Sequence, residues 1–90
     1  MLITYSPSFE RALKKLHKNQ KKALDLIVGE LLNNPKLGEE KRGSLAGIFI
    51  VKFQVSRAEY LLAYRFRTEN EINLLVLGPH ENFYRDLDRK

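Results

Sequence analysis

The chain has 90 residues, of which 43% are hydrophobic and 30% charged, and its formal net charge is +5 at pH 7. A chain of this size and balance is expected to fold as one globular domain over residues 1–90. The absence of cysteine excludes disulfides, thiolate metal ligands and a thiol nucleophile. Without a long apolar run or a secretory signal pattern, we expect a cytoplasmic protein with no membrane partner. The excess of Lys and Arg favours nucleic acid or an acidic protein as partner.

The first part of the sequence predicts one strand and two helices. Residues 1–5 are apolar and β-prone, which indicates an N-terminal strand. The Ser-Pro pair at residues 6–7 suits a helix N-cap followed by the first helical position, and apolar residues recur at helical spacing as far as Leu16. Asn19 is predicted to cap a second helix that stops before Pro35. Two amphipathic helices with so short a linker should form an antiparallel hairpin that covers a sheet.

The second part predicts a three-stranded antiparallel meander. Residues 35–47 are polar and are predicted to form a surface loop. The apolar period then changes from helical spacing to two. Strands are predicted at residues 49–55, 60–67 and 72–77, joined by short turns. Gly-Pro at residues 78–79 is predicted to end the last strand, and residues 84–90 to form at most a short helix that runs into a charged tail. The predicted fold is α+β, in the order β-α-α-β-β-β.

The segment at residues 74–84, LLVLGPHENFY, carries the first candidate for chemistry. His80 follows a predicted buried strand, and Tyr84 lies four residues further on, so a helix there would place both side chains on one face. An imidazole can act as general acid or base near neutral pH, and a phenol can hydrogen-bond or stack on a base. The alternative is that His80 is an exposed turn residue and Tyr84 packs on the sheet.

Basic side chains on the predicted strands form the second candidate. Lys52 lies on the polar face of one strand, and Arg65 and Arg67 share one face of the next. If these faces coincide, they form a positive surface that could hold a phosphate. Lys41 and Arg42, in the loop before the sheet, could close over the same surface. The alternative for all five residues is a solvated basic face.

Other chemistry is not indicated by the sequence. The two histidines are far apart, and no His or carboxylate spacing is typical of a metal site. There is also no Gly-rich phosphate loop and no Ser nucleophile motif. We therefore predict neither a metal nor an organic cofactor.

Two motifs, together with the order of elements, resemble the RelE/ParE superfamily of bacterial toxins over nearly the whole chain. YLLAYRF at residues 60–66 is similar to the family's central strand, and LGPHENFY at residues 77–84 is similar to the G-x-H-x-x-x-F/Y ending of the YafQ branch. SLAG at residues 44–47 resembles the family's loop before the second strand. The resemblance implies the fold predicted above and a toxin of a type II toxin–antitoxin system.

The resemblance also implies roles for individual residues. His80 matches the catalytic histidine of the YafQ-like ending, and Tyr84 matches its terminal aromatic residue. Lys52 matches a strand lysine that RelE uses on phosphate. Glu59 and Tyr60 resemble a pair that YafQ-like members carry before the central strand, which implies RNA binding there.

Some positions depart from the family pattern. Leu61 and Ile50 stand where RelE has an arginine and a lysine, and Val76 replaces an arginine of YafQ-like endings. Arg65 and Arg67, which are predicted to share the face of Leu61, could compensate.

The resemblance implies an activity and its partners. RelE and YafQ members are described as ribonucleases that cut mRNA on the ribosome, and each is held inactive by a cognate antitoxin. The expected activity is therefore a metal-independent endoribonuclease, in which 2′-OH attack gives a 2′,3′-cyclic phosphate. One alternative is a ParE-like inhibitor of DNA gyrase without nuclease activity. Another is a degenerate member that binds only its antitoxin.

Overall fold

A computed structural model describes residues 1–88 of the chain. Its elements are β1 (Leu2–Tyr5), α1 (Pro7–Lys14), α2 (Lys18–Asn33), β2 (Glu39–Glu40), β3 (Ile48–Val55), β4 (Ala58–Thr68), β5 (Glu71–Pro79) and α3 (His80–Asp88). The strands form one sheet in the order β1-β5-β4-β3-β2, with β1 parallel to β5 and the other pairs antiparallel. The predicted α+β fold is confirmed. Within the described residues, no helix is long and apolar enough to span a membrane.

The N-cap of α1 ties the helical hairpin to the sheet. Ser6 is the N-cap residue, as predicted, and its Oγ accepts a hydrogen bond from the Phe9 N–H at 3.1 Å. The same Oγ donates to the carbonyl oxygen of Leu75 at 2.6 Å. An N-cap bond of this kind stabilises a helix by about 1 kcal/mol. Because Ser6 is buried, its bond to Leu75 also fixes where α1 lies on β5.

The second helix begins earlier than predicted. His17, rather than Asn19, is the N-cap residue of α2. Its backbone N–H donates to Oε1 of Gln20 at 2.7 Å, so a glutamine three residues into the helix satisfies this donor. His17 therefore belongs to the start of α2 and not to the end of α1. The predicted stop before Pro35 is confirmed, since α2 ends at Asn33.

The sheet has two covered faces. On one, which we call the hairpin face, α1 and α2 pack on side chains of alternating sheet positions, including Phe49, Val51, Leu62, Tyr64 and Ile72. On the other, the α3 face, Phe83 and Leu87 of α3 pack on Ile50, Leu61, Ala63, Leu75 and Val76. Successive residues of β4 therefore alternate between the two faces, with Leu62 and Tyr64 on the hairpin face and Leu61 and Ala63 on the α3 face.

The predicted loop at residues 35–47 contains a strand, so this prediction was wrong in part. Glu39 pairs with Ile50 and Glu40 with Phe49, which adds the two-residue β2 to the edge of the sheet. Two successive glutamates have no apolar alternation and a low strand propensity, so the sequence pattern did not indicate this strand. The approach to β2 requires Gly38, because a Cβ there would lie 3.0 Å from the carbonyl oxygen of Ile50 and from Oη of Tyr64.

The last strand extends further than predicted. Gly78 and Pro79 belong to β5 and lie opposite Leu61 and Tyr60 of β4. Pro79 is tolerated because it occupies the final strand position, where its missing N–H interrupts no ladder. Of the charged tail predicted within residues 84–90, the positions up to 88 are helical, and residues 89–90 lie outside the described residues.

Candidate active site

His80 and Tyr84 lie side by side on the surface of α3. The helix starts at His80, directly after β5. The ring centroids of His80 and Tyr84 are 6.3 Å apart, and the rings meet edge to face at 82°. Phe83 and Leu87 are buried against the sheet, whereas His80 and Tyr84, at neighbouring positions on the helix, are exposed at the edge of this contact. The shared face predicted from their spacing is confirmed.

A glutamate of β2 and the lysine that follows this strand form an ion pair on the α3 face. Glu39 lies opposite Ile50, whose side chain is part of the α3-side core, so strand alternation directs Glu39 and Lys41 to this face. Nζ of Lys41 donates a hydrogen bond to Oε1 of Glu39 at 2.7 Å. This bond lowers the pKa of Glu39, with a smaller contribution from Lys52. The same bond raises the pKa of Lys41, and Tyr84 also raises this pKa.

These electrostatic effects join the side chains into one group. Tyr84 is close enough to Lys41, and Lys52 to Glu39, to influence their pKa values. Lys52 lies opposite Leu61, which in turn lies opposite Gly78, two residues before His80. With about 4.8 Å between neighbouring strands, the backbones of Lys52 and Gly78 are about 10 Å apart. We call Glu39, Lys41, Lys52, His80 and Tyr84 the site cluster.

The two strand arginines lie further along the sheet. Arg65 shares the α3 face with Lys52, but it lies opposite Ile48 and Asn73. It is four residues from Leu61, a separation of about 13 Å along the strand. Arg67 is further still, and its Nε is 3.8 Å from Oε2 of Glu71. The structure therefore does not bring Arg65 and Arg67 together with Lys52 in one phosphate site.

The pair predicted to bind RNA is divided between the two faces. Glu59 lies opposite Gln54, and strand alternation places this pair on the α3 face. Tyr60 points to the hairpin face, where its hydroxyl accepts a hydrogen bond from Nε2 of Gln20 at 2.9 Å, and its ring lies 6.0 Å from that of Phe53. Tyr60 therefore does not face the site cluster. Arg42 is exposed beside Lys41 and lines a shallow depression of about 350 Å³ with it.

The apolar residues at family-specific positions are part of the core. Leu61 and Val76 are buried, with 0% and 2% exposure, beneath Phe83 and Leu87 of α3. An arginine at either position would have to displace this packing. Leu61 and Val76 therefore allow α3 to lie directly on the central strands, and they leave the edge at β2 and β3 as the open part of this face.

Glu39 is the member of the site cluster that we did not single out from the sequence. Its position depends on the pairing of β2 with β3, which alternation within residues 35–47 does not reveal. The available signal was the spacing of Glu39 and Lys41, since residues two apart share a face in any strand. The resulting cluster combines an imidazole, a carboxylate, two ammonium groups and a phenol at one rim of the sheet.

Chains from three solved E. coli structures are similar in fold to this chain. A chain of the intact E. coli RelBE toxin–antitoxin complex superposes with a TM-score of 0.70 at 18% identity, covering 86% of this chain and 93% of that one. A double mutant of the E. coli RelE toxin in the free state gives a TM-score of 0.72 at 17% identity, covering 98% and 95%. The isolated E. coli RelE toxin gives 0.70 at 17% identity, covering 98% and 96%. These similarities define the fold as that of RelE.

The sequence itself defines the family. Residues 3–88 match the family model described as the ParE-like toxin of type II bacterial toxin–antitoxin systems. The chain belongs to this family, and the predicted relationship to the RelE/ParE superfamily is confirmed. Among curated protein sequences, none matches this chain.

Proposed function

We propose that this toxin is an endoribonuclease that cuts mRNA on translating ribosomes. The observation that carries the proposal is the site cluster. The ring centroids of His80 and Tyr84 are 6.3 Å apart, Tyr84 influences the pKa of Lys41, and Lys41 and Lys52 influence that of Glu39. RNA cleavage needs a proton donor, a proton acceptor and positive charge near the phosphate. It needs no metal to supply the nucleophile, because RNA carries its own 2′-OH.

The proposed reaction assigns one step to each group. The carboxylate of Glu39 takes the proton of the 2′-OH, and the resulting oxygen attacks the adjacent phosphorus. His80 protonates the 5′-oxygen as its bond to phosphorus breaks, so that the products are a 2′,3′-cyclic phosphate and a 5′-OH. Lys41 and Lys52 stabilise the negative charge that develops on the phosphate oxygens. Tyr84 stacks on a neighbouring base.

The partner proposed for the resting state is a cognate antitoxin. Family membership and the presence of the structural neighbour in a toxin–antitoxin complex support it. Several large apolar side chains are exposed in the described part of the chain, among them Leu26 on α2 and Leu37 before β2. An amphipathic helix or an extended segment could cover them. We propose a cytoplasmic location for the pair.

A ParE-like inhibitor of DNA gyrase is the second candidate. The ParE-like family description and the burial of Leu61 and Val76, where RNA-cutting relatives carry arginines, favour it. Such a protein would need neither an acid–base pair nor positive charge beside it. DNA damage with intact mRNA after induction would identify this function, whereas normal growth would indicate a chain that only binds its antitoxin.

The test compares the wild type, His80→Ala and a control variant in cells. We expect induction of the wild type to produce new mRNA 5′ ends at defined codon positions, mapped by primer extension. His80→Ala should abolish these ends, because loss of an acid–base group slows such reactions by about 10²- to 10⁴-fold. Lys22→Ala is the control, since Lys22 is exposed on α2 and is not a member of the site cluster. Intact transcripts during growth arrest by the wild type would contradict the proposal.

A further inference from the structure

A second basic surface lies on the hairpin face, at the same end of the sheet as His80. A cleft of about 550 Å³ opens there between α1, the start of α2 and the ends of β4 and β5, and we call it the hairpin cleft. Its lining includes Arg11, Lys15, His17, Tyr60, Gly78 and Pro79. Its position links it to the site cluster, because Pro79 directly precedes His80.

The charged side chains that line the hairpin cleft are basic. Arg11 and Lys15 are exposed and four residues apart, so they stand about 6 Å apart along the helix direction. Of the side chains that line the cleft within residues 1–88, none is acidic. The floor is fixed by the hydrogen bond from Gln20 to the hydroxyl of Tyr60, at 2.9 Å. The cleft therefore presents two cations in front of a polar, ordered floor.

We propose that the hairpin cleft binds the backbone phosphates of the RNA strand on one side of the cleavage point. The proposal rests on the proposed ribonuclease function. A strand held at His80 reaches Arg11 and Lys15 by crossing the end of the sheet at Gly78 and Pro79. The arginine binds a phosphate through two parallel hydrogen bonds, and the lysine holds the next one as a point charge.

The lining favours RNA over an acidic protein segment. Protein segments obtain most of their binding energy from a few large side chains, chiefly Trp, Tyr and Arg, that fill well-packed pockets. The exposed apolar side chains of this toxin, such as Leu26, Leu32 and Leu37, do not line the hairpin cleft. Phosphate contacts, in contrast, need only fixed cations and hydrogen-bond donors.

The experiment measures binding apart from cleavage. The probe is a fluorescein-labelled 2′-O-methyl RNA oligonucleotide, which lacks the nucleophile and cannot be cut. We expect the double variant Arg11→Gln/Lys15→Gln to weaken its binding at least about tenfold. The slope of log K against log salt should flatten by about 1.4, the value for two phosphates of a single strand. The control, Lys22→Gln/Lys36→Gln, removes the same charge from exposed positions outside the cleft and should change the affinity less than twofold.

Several outcomes would overturn the proposal. Unchanged affinity in the Arg11/Lys15 variant, or equal weakening in both double variants, would show that the hairpin cleft has no specific role. If the Arg11/Lys15 variant binds an oligoglutamate peptide more weakly than the wild type but binds RNA equally well, the hairpin cleft is a protein-docking site. Thermal melts of both variants establish that they are folded.

Failure of the cleft and failure of the ribonuclease function give different results. If the wild type cleaves unmodified RNA but the Arg11/Lys15 variant binds RNA as tightly as the wild type, only the proposed role of the hairpin cleft is contradicted. Binding through Arg11 and Lys15 without any cleavage contradicts the ribonuclease function and retains the cleft as an RNA-binding surface.

Discussion

The hydroxyl of Tyr64 accepts a hydrogen bond of 2.9 Å from the backbone N–H of Gly38, and it donates one of the same length to the carbonyl oxygen of Pro35. Tyr64 is buried beneath the helical hairpin, whereas Gly38 directly precedes β2, which carries Glu39. The core of the sheet therefore fixes the segment that places Glu39 and Lys41 in the site cluster.

Tyr64→Phe tests this link. The variant keeps the ring but leaves the Gly38 N–H and the Pro35 carbonyl without a partner, so we expect the free energy of unfolding to fall by about 1–3 kcal/mol. Urea denaturation measures the loss. Hydrogen exchange should also show faster exchange at Gly38, while the amides of β4 and β5 keep their relative protection. Unchanged exchange at Gly38 would mean that the hydroxyl does not hold β2.

Leu61→Arg tests the packing of α3 on the central strands. Because Leu61 is 0% exposed and lies under Phe83 and Leu87, an arginine there must bury a charge or displace α3. We expect the free energy of unfolding to fall by at least about 3 kcal/mol. Leu61→Met, which conserves the volume, should lose less than about 1.5 kcal/mol. An arginine variant as stable as the wild type would show that α3 does not occupy this position.

The Glu39–Lys41 pair has a predictable pH dependence. Since the pKa of Glu39 lies below its ordinary value of 4.5, its stabilising contribution is complete above pH 4.5 and is lost as the pH falls through the lowered value. The pKa of Lys41 lies above 10.5, so its contribution is complete below pH 10.5 and is lost as the pH rises through the raised value. The ion pair is therefore intact throughout the neutral range.

Carbon NMR of the Glu39 carboxyl group measures this directly. We expect a titration midpoint below 4.5 in the wild type and a shift back toward 4.5 in Lys41→Gln, because the hydrogen bond from Lys41 is the largest cause of the lowering. Lys36→Gln serves as the control and should leave the midpoint where it is. A midpoint that does not respond to Lys41→Gln would show that Glu39 and Lys41 do not form this ion pair in solution.

Two variants of Tyr84 distinguish its ring from its hydroxyl. If the ring stacks on a base, Tyr84→Ala should weaken binding of the 2′-O-methyl oligonucleotide by about 1–3 kcal/mol, and Tyr84→Phe should retain most of the affinity. Fluorescence anisotropy gives both values. An equal loss in the two variants would assign the role to the hydroxyl and its neighbour Lys41 instead.

Local patterns predicted the elements whose determinants are close in sequence. Ser6 and Pro7 marked the start of α1, and alternation from Phe49 onward marked β3, because capping and strand alternation involve neighbouring residues. β2 could not be predicted in this way, since it depends on Tyr64, 26 residues beyond Gly38. The signal for the start of α2 is also local, since Gln20 follows His17 by three residues. It was missed because histidine is not among the preferred N-cap residues.

The residues of the candidate site were likewise predictable where their determinants are close in sequence. The spacing of His80 and Tyr84 within one helix was sufficient to place them together. Alternation showed that Arg65 and Arg67 share the face of Leu61, but it gave no distance along the strand, and the register places them away from Lys52. Glu39 joined the cluster only through the pairing of β2 with β3, a contact that no local pattern encodes.

The central claim is that His80 acts on RNA from the site cluster, and the most direct measurement uses purified toxin with mRNA-programmed ribosomes. We expect the wild type to release fragments that end in a 2′,3′-cyclic phosphate, identified by mass spectrometry, and His80→Ala to cleave at least about 10²-fold more slowly in single-turnover assays. Lys22→Ala, at an exposed position outside both the site cluster and the hairpin cleft, should cleave at the wild-type rate. No cleavage by the wild type, or equal rates for the wild type and His80→Ala, would contradict the account.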